Sequence, residues 1–146
     1  MMAKTILLVE DNPDDIELVR IALSNKRILN ELDIATDGEK ALDYLFCRGQ
    51  YENKDPGVLP ALIMLDLQLP KISGLEVLRQ IRAHEKTSLI PTIIFTSSIE
   101  DRDIIQSYQL GANSYIRKPV DADQFEKAIQ ELEMYWLLFN EPPPGI

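Results

Sequence analysis

Five polar side chains stand at the ends of apolar runs that are far apart in the chain. Glu10 and Asp11 follow ILLV, Asp66 follows LIML, Thr96 follows TIIF and Lys118 follows SYIR. If the runs are neighbouring strands, all five groups reach one rim of one sheet. Three carboxylates gathered there would repel one another and raise one another's pKa values. A hard divalent cation relieves that repulsion, and oxygen ligands with room for water suit Mg²⁺. A chance set of helix caps and strand ends competes well for any one of these residues. For five at successive strand ends it competes poorly.

The elements that would position them are legible as alternation. Strands are predicted at Thr5–Val9, Leu32–Ala35, Ala61–Leu65, Thr92–Phe95 and Ser114–Ile116, several apolar on both faces, as in a buried parallel sheet. Helical periods lie between them. Asn12 is a natural N-cap, Pro13 suits the first helical position, and Asp14 and Asp15 favour the positive end of the dipole. Ile16, Val19, Ala22 and Leu23 give that helix a buried face. Asp37 opens a second helix with Ala41, Leu42 and Leu45. Ser73 or Gly74 opens a third with Leu75, Leu78 and Ile81. Glu100 to Gln109 is short and polar. Asp121–Gln124 resembles a capping box, followed by Phe125, Ala128, Ile129 and Leu132. Strands alternating with helices imply right-handed βαβ units and a doubly wound α/β fold, whose sites lie at the carboxyl ends of the strands. Cys47 to Pro60 is the longest irregular piece.

Composition narrows the function. The chain has 146 residues, enough for one domain with a real core, and its net charge is −9. Nucleic acid and anionic membranes are therefore poor partners. Cys47 is the single cysteine, so no intrachain disulfide forms, and it reads as a small buried or half-buried hydrophobe. The start of the chain has too short an apolar run for a signal peptide, and no stretch is long enough to cross a membrane, so a cytoplasmic protein is expected. His84, in RAHEK, reads as a solvated surface residue rather than a phosphodonor or ligand.

VED at 9–11, DLQLPKISGLEVL at 66–78, TSS at 96–98 and GANSYIRKP at 111–119, in that order, are specific. Together they resemble the receiver domain of two-component response regulators, from the start of the chain to about Glu133. The resemblance implies a flavodoxin-like sheet of strand order 2-1-3-4-5. It implies that Asp66 accepts a phosphoryl group from the phosphohistidine of a sensor histidine kinase. Asp11, Asp66 and the backbone carbonyl of Gln68 would bind Mg²⁺, with Glu10 acting through metal-bound water. Lys118 would pair with phosphoryl oxygens as an exposed rim lysine of little structural weight, and Thr96 would donate a hydrogen bond. Thr96 and Tyr115 would form the switch; without the resemblance Tyr115 reads as a half-exposed strand tyrosine. Pro119 is where the family carries a cis peptide bond, expected to aim Lys118 inward. One departure is the Glu-Asp pair where many receivers have Asp-Asp.

Residues 134–146 extend beyond this receiver unit of residues 1–133. Tyr135, Trp136, Leu137, Leu138 and Phe139 are consecutive and apolar, so a continued helix would be greasy around its circumference. A homodimer contact through Tyr135, Trp136, Leu138 and Phe139 is expected; the competing arrangement folds the tail over its own sheet edge. The tail and the long loop resemble the small, stand-alone response regulators of cyanobacterial phytochromes, which implies a phytochrome-like kinase as partner. The rival function is a Mg²⁺-dependent phosphohydrolase with an Asp nucleophile. Such enzymes of the haloacid dehalogenase type carry DxD after the first strand, and VEDNPDD lacks that spacing.

Overall fold

The structure is a computed structural model and describes residues 4–24 and 28–144. Five parallel strands form one sheet in the order β2-β1-β3-β4-β5. They are β1 (Lys4–Val9), β2 (Asn30–Ala35), β3 (Leu62–Leu65), β4 (Thr92–Thr96) and β5 (Ser114–Arg117). The helices between and after them are α1 (Pro13–Leu23), α2 (Gly38–Phe46), α3 (Gly74–Ala83), α4 (Asp101–Gln109) and α5 (Ala122–Glu133). This is the doubly wound flavodoxin-like order expected from the sequence.

The pleat divides the core in two. Ile6, Leu8, Leu62, Met64, Ile93 and Phe95 face α1 and α5. Leu7, Val9, Ile63, Leu65 and Ile94 face the other way, toward α2 and α3. Because successive residues point to opposite faces and both faces are covered, the central strands read as unbroken apolar runs. Each fully buried aliphatic side chain contributes roughly 1.5–3 kcal/mol relative to exposure, so these strands anchor the rim residues that follow them.

Local chemistry sets the helix starts. The Asn12 side chain accepts from the amides of Asp14 and Asp15, Asp37 from Lys40, Ser73 from Glu76, and Asp121 from Asp123 and Gln124. Ser73, not Gly74, is thus the cap of α3. Gly74 has a different role: a Cβ there would collide with the carbonyl oxygen of Asp66 and with Leu67. The start of α3 can therefore lie directly against the end of β3. Cys47 ends α2 in a left-handed conformation, φ 55°, and is half-buried. The loop after it is partly packed, with a 3₁₀ turn at Gly49–Tyr51 and the Tyr51 ring edge-on to Tyr44 at 5.3 Å.

Past Glu133, α5 runs on as a π-helical segment, Met134–Phe139. Leu137 is buried in the α1/α5 core and Trp136 packs against it, while Tyr135, Leu138 and Phe139 are more than half exposed. The end of α5 and this segment are tied to the amino ends of two strands. Lys4 Nζ donates to the Leu137 carbonyl at 2.5 Å, and Asn30 Nδ2 to Glu133 Oε2 at 2.5 Å. Part of the tail therefore folds back on its own domain and part faces outward. The last two residues, 145–146, lie outside the described residues. No helix among the described residues is long and apolar enough to cross a membrane.

Candidate functional site

The strand ladders extend past the strand ends and bring the polar residues level. The amide of Glu10 donates to the Ala35 carbonyl at 3.0 Å, Asp66 to Val9 at 3.1 Å and Lys118 to Thr96 at 2.8 Å. The rim so formed is centred on Asp66, which is 5% exposed. Its Oδ1 accepts from the Thr96 hydroxyl at 2.7 Å and the Gln68 amide at 3.2 Å. Its Oδ2 accepts from Lys118 Nζ at 2.8 Å.

Lys118 differs from expectation. Its side chain is only 10% exposed, and Nζ reaches Glu10 Oε1 at 2.6 Å and Asp15 Oδ2 at 2.9 Å besides Asp66. It is a largely enclosed bridge among three carboxylates, not an exposed rim lysine. Nor does a cis bond at Pro119 aim it: among the described residues no peptide bond is cis. The inward direction comes from the backbone bond to Thr96 and from the carboxylates, which give the ammonium one acceptor for each of its protons.

Glu10 is buried, and its other oxygen accepts from the amides of Asp11 and Asn12, each at 3.1 Å. Burial pushes its carboxyl up to about 7, against the pull of Lys118 and helped by the charge of Asp66. Burial works against the Lys118 charge too. There the hydrogen bonds to Asp66, Glu10 and Asp15 win and hold the ammonium above its ordinary range. Asp11 is exposed at the mouth, and the cleft is further lined by Asn12, Gln68, Ser97 and Val120.

The donor set fits a hard cation. Carboxylate oxygens of Glu10, Asp11 and Asp66 lie within 4.8 Å of one another, all oxygen, with one member open to solvent for water ligands. Asp15 is not in that cluster. Gln68 sits beside it, its side chain exposed and its carboxamide oxygen 3.5 Å from the Ser97 hydroxyl.

Around Thr96 a second network leads away from the rim. Thr96 is fully buried, and the Ser98 amide donates to its hydroxyl at 3.4 Å. The half-buried Tyr115 donates its hydroxyl to the Ser98 carbonyl at 3.1 Å, and Ser98 Oγ donates to Asp103 Oδ2 at 2.6 Å. Two participants were not foreseen. Asp15 reads as a helix-dipole residue, and no local pattern announces its contact with Lys118, which lies 103 residues away in the chain. Ser98 joins through its backbone as well as its hydroxyl, which no residue type announces. His84 is exposed, its ring 4.8 Å from Phe46, at the end of α3 remote from Gly74 and Asp66.

Residues 6–130 match the model of the response regulator receiver domain. The chain belongs to the response regulator receiver family. Receivers are phosphoacceptor modules of two-component signalling, partnered by histidine kinases, rather than enzymes in their own right. Response regulator Rcp1 of Synechocystis is 40% identical over 134 residues, covering 92% of this chain and 89% of Rcp1. Its Mn²⁺-bound crystal structure superposes with a TM-score of 0.89 at 39% identity, covering 96% of this chain and 99% of that one. The phosphorylated cyanobacterial phytochrome response regulator RcpA gives a TM-score of 0.91 at 38% identity, covering 97% and 99%. The bacteriophytochrome response regulator AtBRR is 48% identical with a TM-score of 0.75, covering 97% and 100%. Rcp1 has been crystallised in a Mn²⁺-bound form, and in this chain Glu10, Asp11 and Asp66 form a group that could hold a divalent cation.

Proposed function

We propose that the protein is a stand-alone, cytoplasmic response regulator whose Asp66 takes a phosphoryl group from the phosphohistidine of a phytochrome-type sensor kinase. The observation that carries this reading is the double clamp on Asp66: Thr96 on one oxygen and Lys118 on the other. In the transfer, a carboxylate oxygen of Asp66 forms the new P–O bond as the P–N bond breaks, and the departing imidazole takes up a proton. Such a loose transition state needs alignment and charge neutralisation more than a strong nucleophile. The Lys118 ammonium and the Thr96 hydroxyl already point at the carboxylate and pass to the phosphoryl oxygens once it is modified. Mg²⁺ would be held by Glu10, Asp11 and Asp66 with the Gln68 carbonyl, Glu10 through water. When bound, it would supply positive charge against the negative charge of the group in transfer.

Thr96 and Tyr115 form the switch in this reading. A shift of Thr96 toward a phosphoryl oxygen disturbs the Ser98 amide it accepts from, and Tyr115 hangs on the carbonyl of the same Ser98. The kinase type rests on the likeness to RcpA, Rcp1 and AtBRR. A homodimer is supported by the outward apolar side chains of Tyr135, Leu138 and Phe139 at the end of α5, with Trp136 at their margin. Since α5 flanks the Lys118 loop, phosphorylation strengthens or reshapes that contact.

Intact mass after incubation with Mg²⁺ and acetyl phosphate tests the core of the reading. Wild type should gain one phosphoryl group and Asp66→Asn none; an adduct at wild-type yield in Asp66→Asn overturns it. Transfer from a phytochrome kinase, compared with an unrelated histidine kinase, tests the partner. Steady release of phosphate from a simple phosphomonoester would favour a hydrolase instead. For the dimer, Leu138→Asp with Phe139→Asp is a cleaner disruption than truncation after Glu133, which would remove the buried Leu137. The double variant should sediment as a monomer at micromolar concentration where wild type is dimeric.

A further inference from the structure

Lys118 is held by three carboxylates, but only two of them, Glu10 and Asp66, belong to the group that could hold a cation. Asp15 is the exception. It sits in the first turn of α1, 21% exposed, and its amide is fixed by the Asn12 cap at 3.2 Å. A cation among Glu10, Asp11 and Asp66 would compete for the lone pairs that now accept from Lys118. It would also place a like charge close to the ammonium. A lysine on a flexible four-carbon stem yields readily to such repulsion and swings toward water. The one partner left unaltered is the carboxylate at 2.9 Å on α1.

We propose that Asp15 is a positioning residue that tethers the Lys118 ammonium beside Asp66 when a divalent cation occupies the acidic cluster. The proposal rests on the phosphoacceptor reading and deepens it. It assigns to α1 a role in phosphoryl transfer that neither the metal cluster nor the Thr96 network supplies. Asp15 acts through Lys118 and touches no reacting atom. Without the tether the cationic partner of the phosphoryl group is withdrawn at the step that needs it, and misplacing such a group by about 1 Å slows a reaction many-fold.

The direct test follows the lysine side-chain ammonium by nuclear magnetic resonance in full-length ¹⁵N-labelled protein, with and without saturating Mg²⁺. Wild type should show a protected ammonium signal that is missing in Lys118→Met and survives Mg²⁺. In Asp15→Asn the signal should be present without Mg²⁺ and be lost on its addition. Phosphorylation by acetyl phosphate at saturating Mg²⁺ should then fall about fivefold or more, with Mg²⁺ affinity changed by less than about twofold. If Asp15→Asn does not fold, Asp15→Ser takes its place, since serine suits a first helical turn. An Asp15 variant whose Lys118 signal survives saturating Mg²⁺ overturns the proposal, whatever its rate. Failure of the underlying reading looks different: wild type would take no phosphoryl group on Asp66, while the ammonium signals still behaved as described.

Discussion

A long cationic side chain lies near each end of β4, Arg82 from α3 and Lys118 from the loop after β5, and each is held by three oxygens. At the carboxyl end Lys118 meets three carboxylates. At the amino end Arg82 donates to the carbonyls of Gly111 and Ile90, both at 2.9 Å, and to the Asn113 side-chain oxygen at 2.8 Å. Burial holds the Arg82 guanidinium below its ordinary pKa, because neutral dipoles compensate only in part. Lys118 is shifted the other way by its carboxylate partners despite burial. The contrast separates structure from function. A charge held by fixed dipoles has nothing to exchange with and works as a staple. A charge held by other charges can be reassigned when a metal or a phosphoryl group arrives.

The largest effect expected is on stability, at the staple. Arg82→Met strands the Ile90 and Gly111 carbonyls and should cost about 3 kcal/mol in urea unfolding, with no recovery on adding Mg²⁺. Recovery there would erase the distinction between the two ends. Next, Lys118→Met leaves Glu10, Asp15 and Asp66 facing one another and should cost about 2 kcal/mol in metal-free buffer. Millimolar Mg²⁺ should restore most of that loss, since a cation can replace a cation in this cluster. The same variant should still be labelled on Asp66 yet lose any phosphorylation-dependent change in dimer sedimentation.

A smaller effect follows pH. The Glu10 carboxyl sits at about 7 in the folded protein against an ordinary value of 4.5. Between those values the folded state holds a proton that the unfolded state has released, so metal-free stability should fall as pH rises through this window. The contribution is full below the ordinary value and is lost as pH rises through about 7. Glu10→Gln should flatten the slope of unfolding midpoint against pH; a slope unchanged in Glu10→Gln would assign it elsewhere. The smallest effect concerns the support of Asp15. Asn12→Ala removes the cap that fixes α1 and should cost about 1 kcal/mol, measured by thermal unfolding. It should also lower the phosphorylation rate slightly, in the direction of Asp15→Asn.

Much of the fold was legible because its signals are local. Apolar runs marked the strands to within two residues, and Asn12, Asp37, Ser73 and Asp121 are residue types that cap by themselves. The rim carboxylates were legible because strand order turns chain position into spatial position. Lys118 was misjudged because its burial depends on three partners from three elements, which no local window contains. Arg82 left no trace, since two of its acceptors are backbone carbonyls, present at every residue alike. The tail was half legible: five apolar residues announce a buried face, but not that Leu137 alone would be sealed inside while Phe139 stays 67% exposed.

Gly74 has a consequence for how the reactive carboxylate is held. The helix that follows it, α3, contributes no chemical group to the rim, yet its first residue abuts the backbone of Asp66 with no clearance for a methyl group. The tolerance of the whole assembly is therefore set where there is no side chain. Drift at position 74, even to alanine, would act as a shim under Asp66, lifting it from Thr96 and Lys118 while every functional group remained intact.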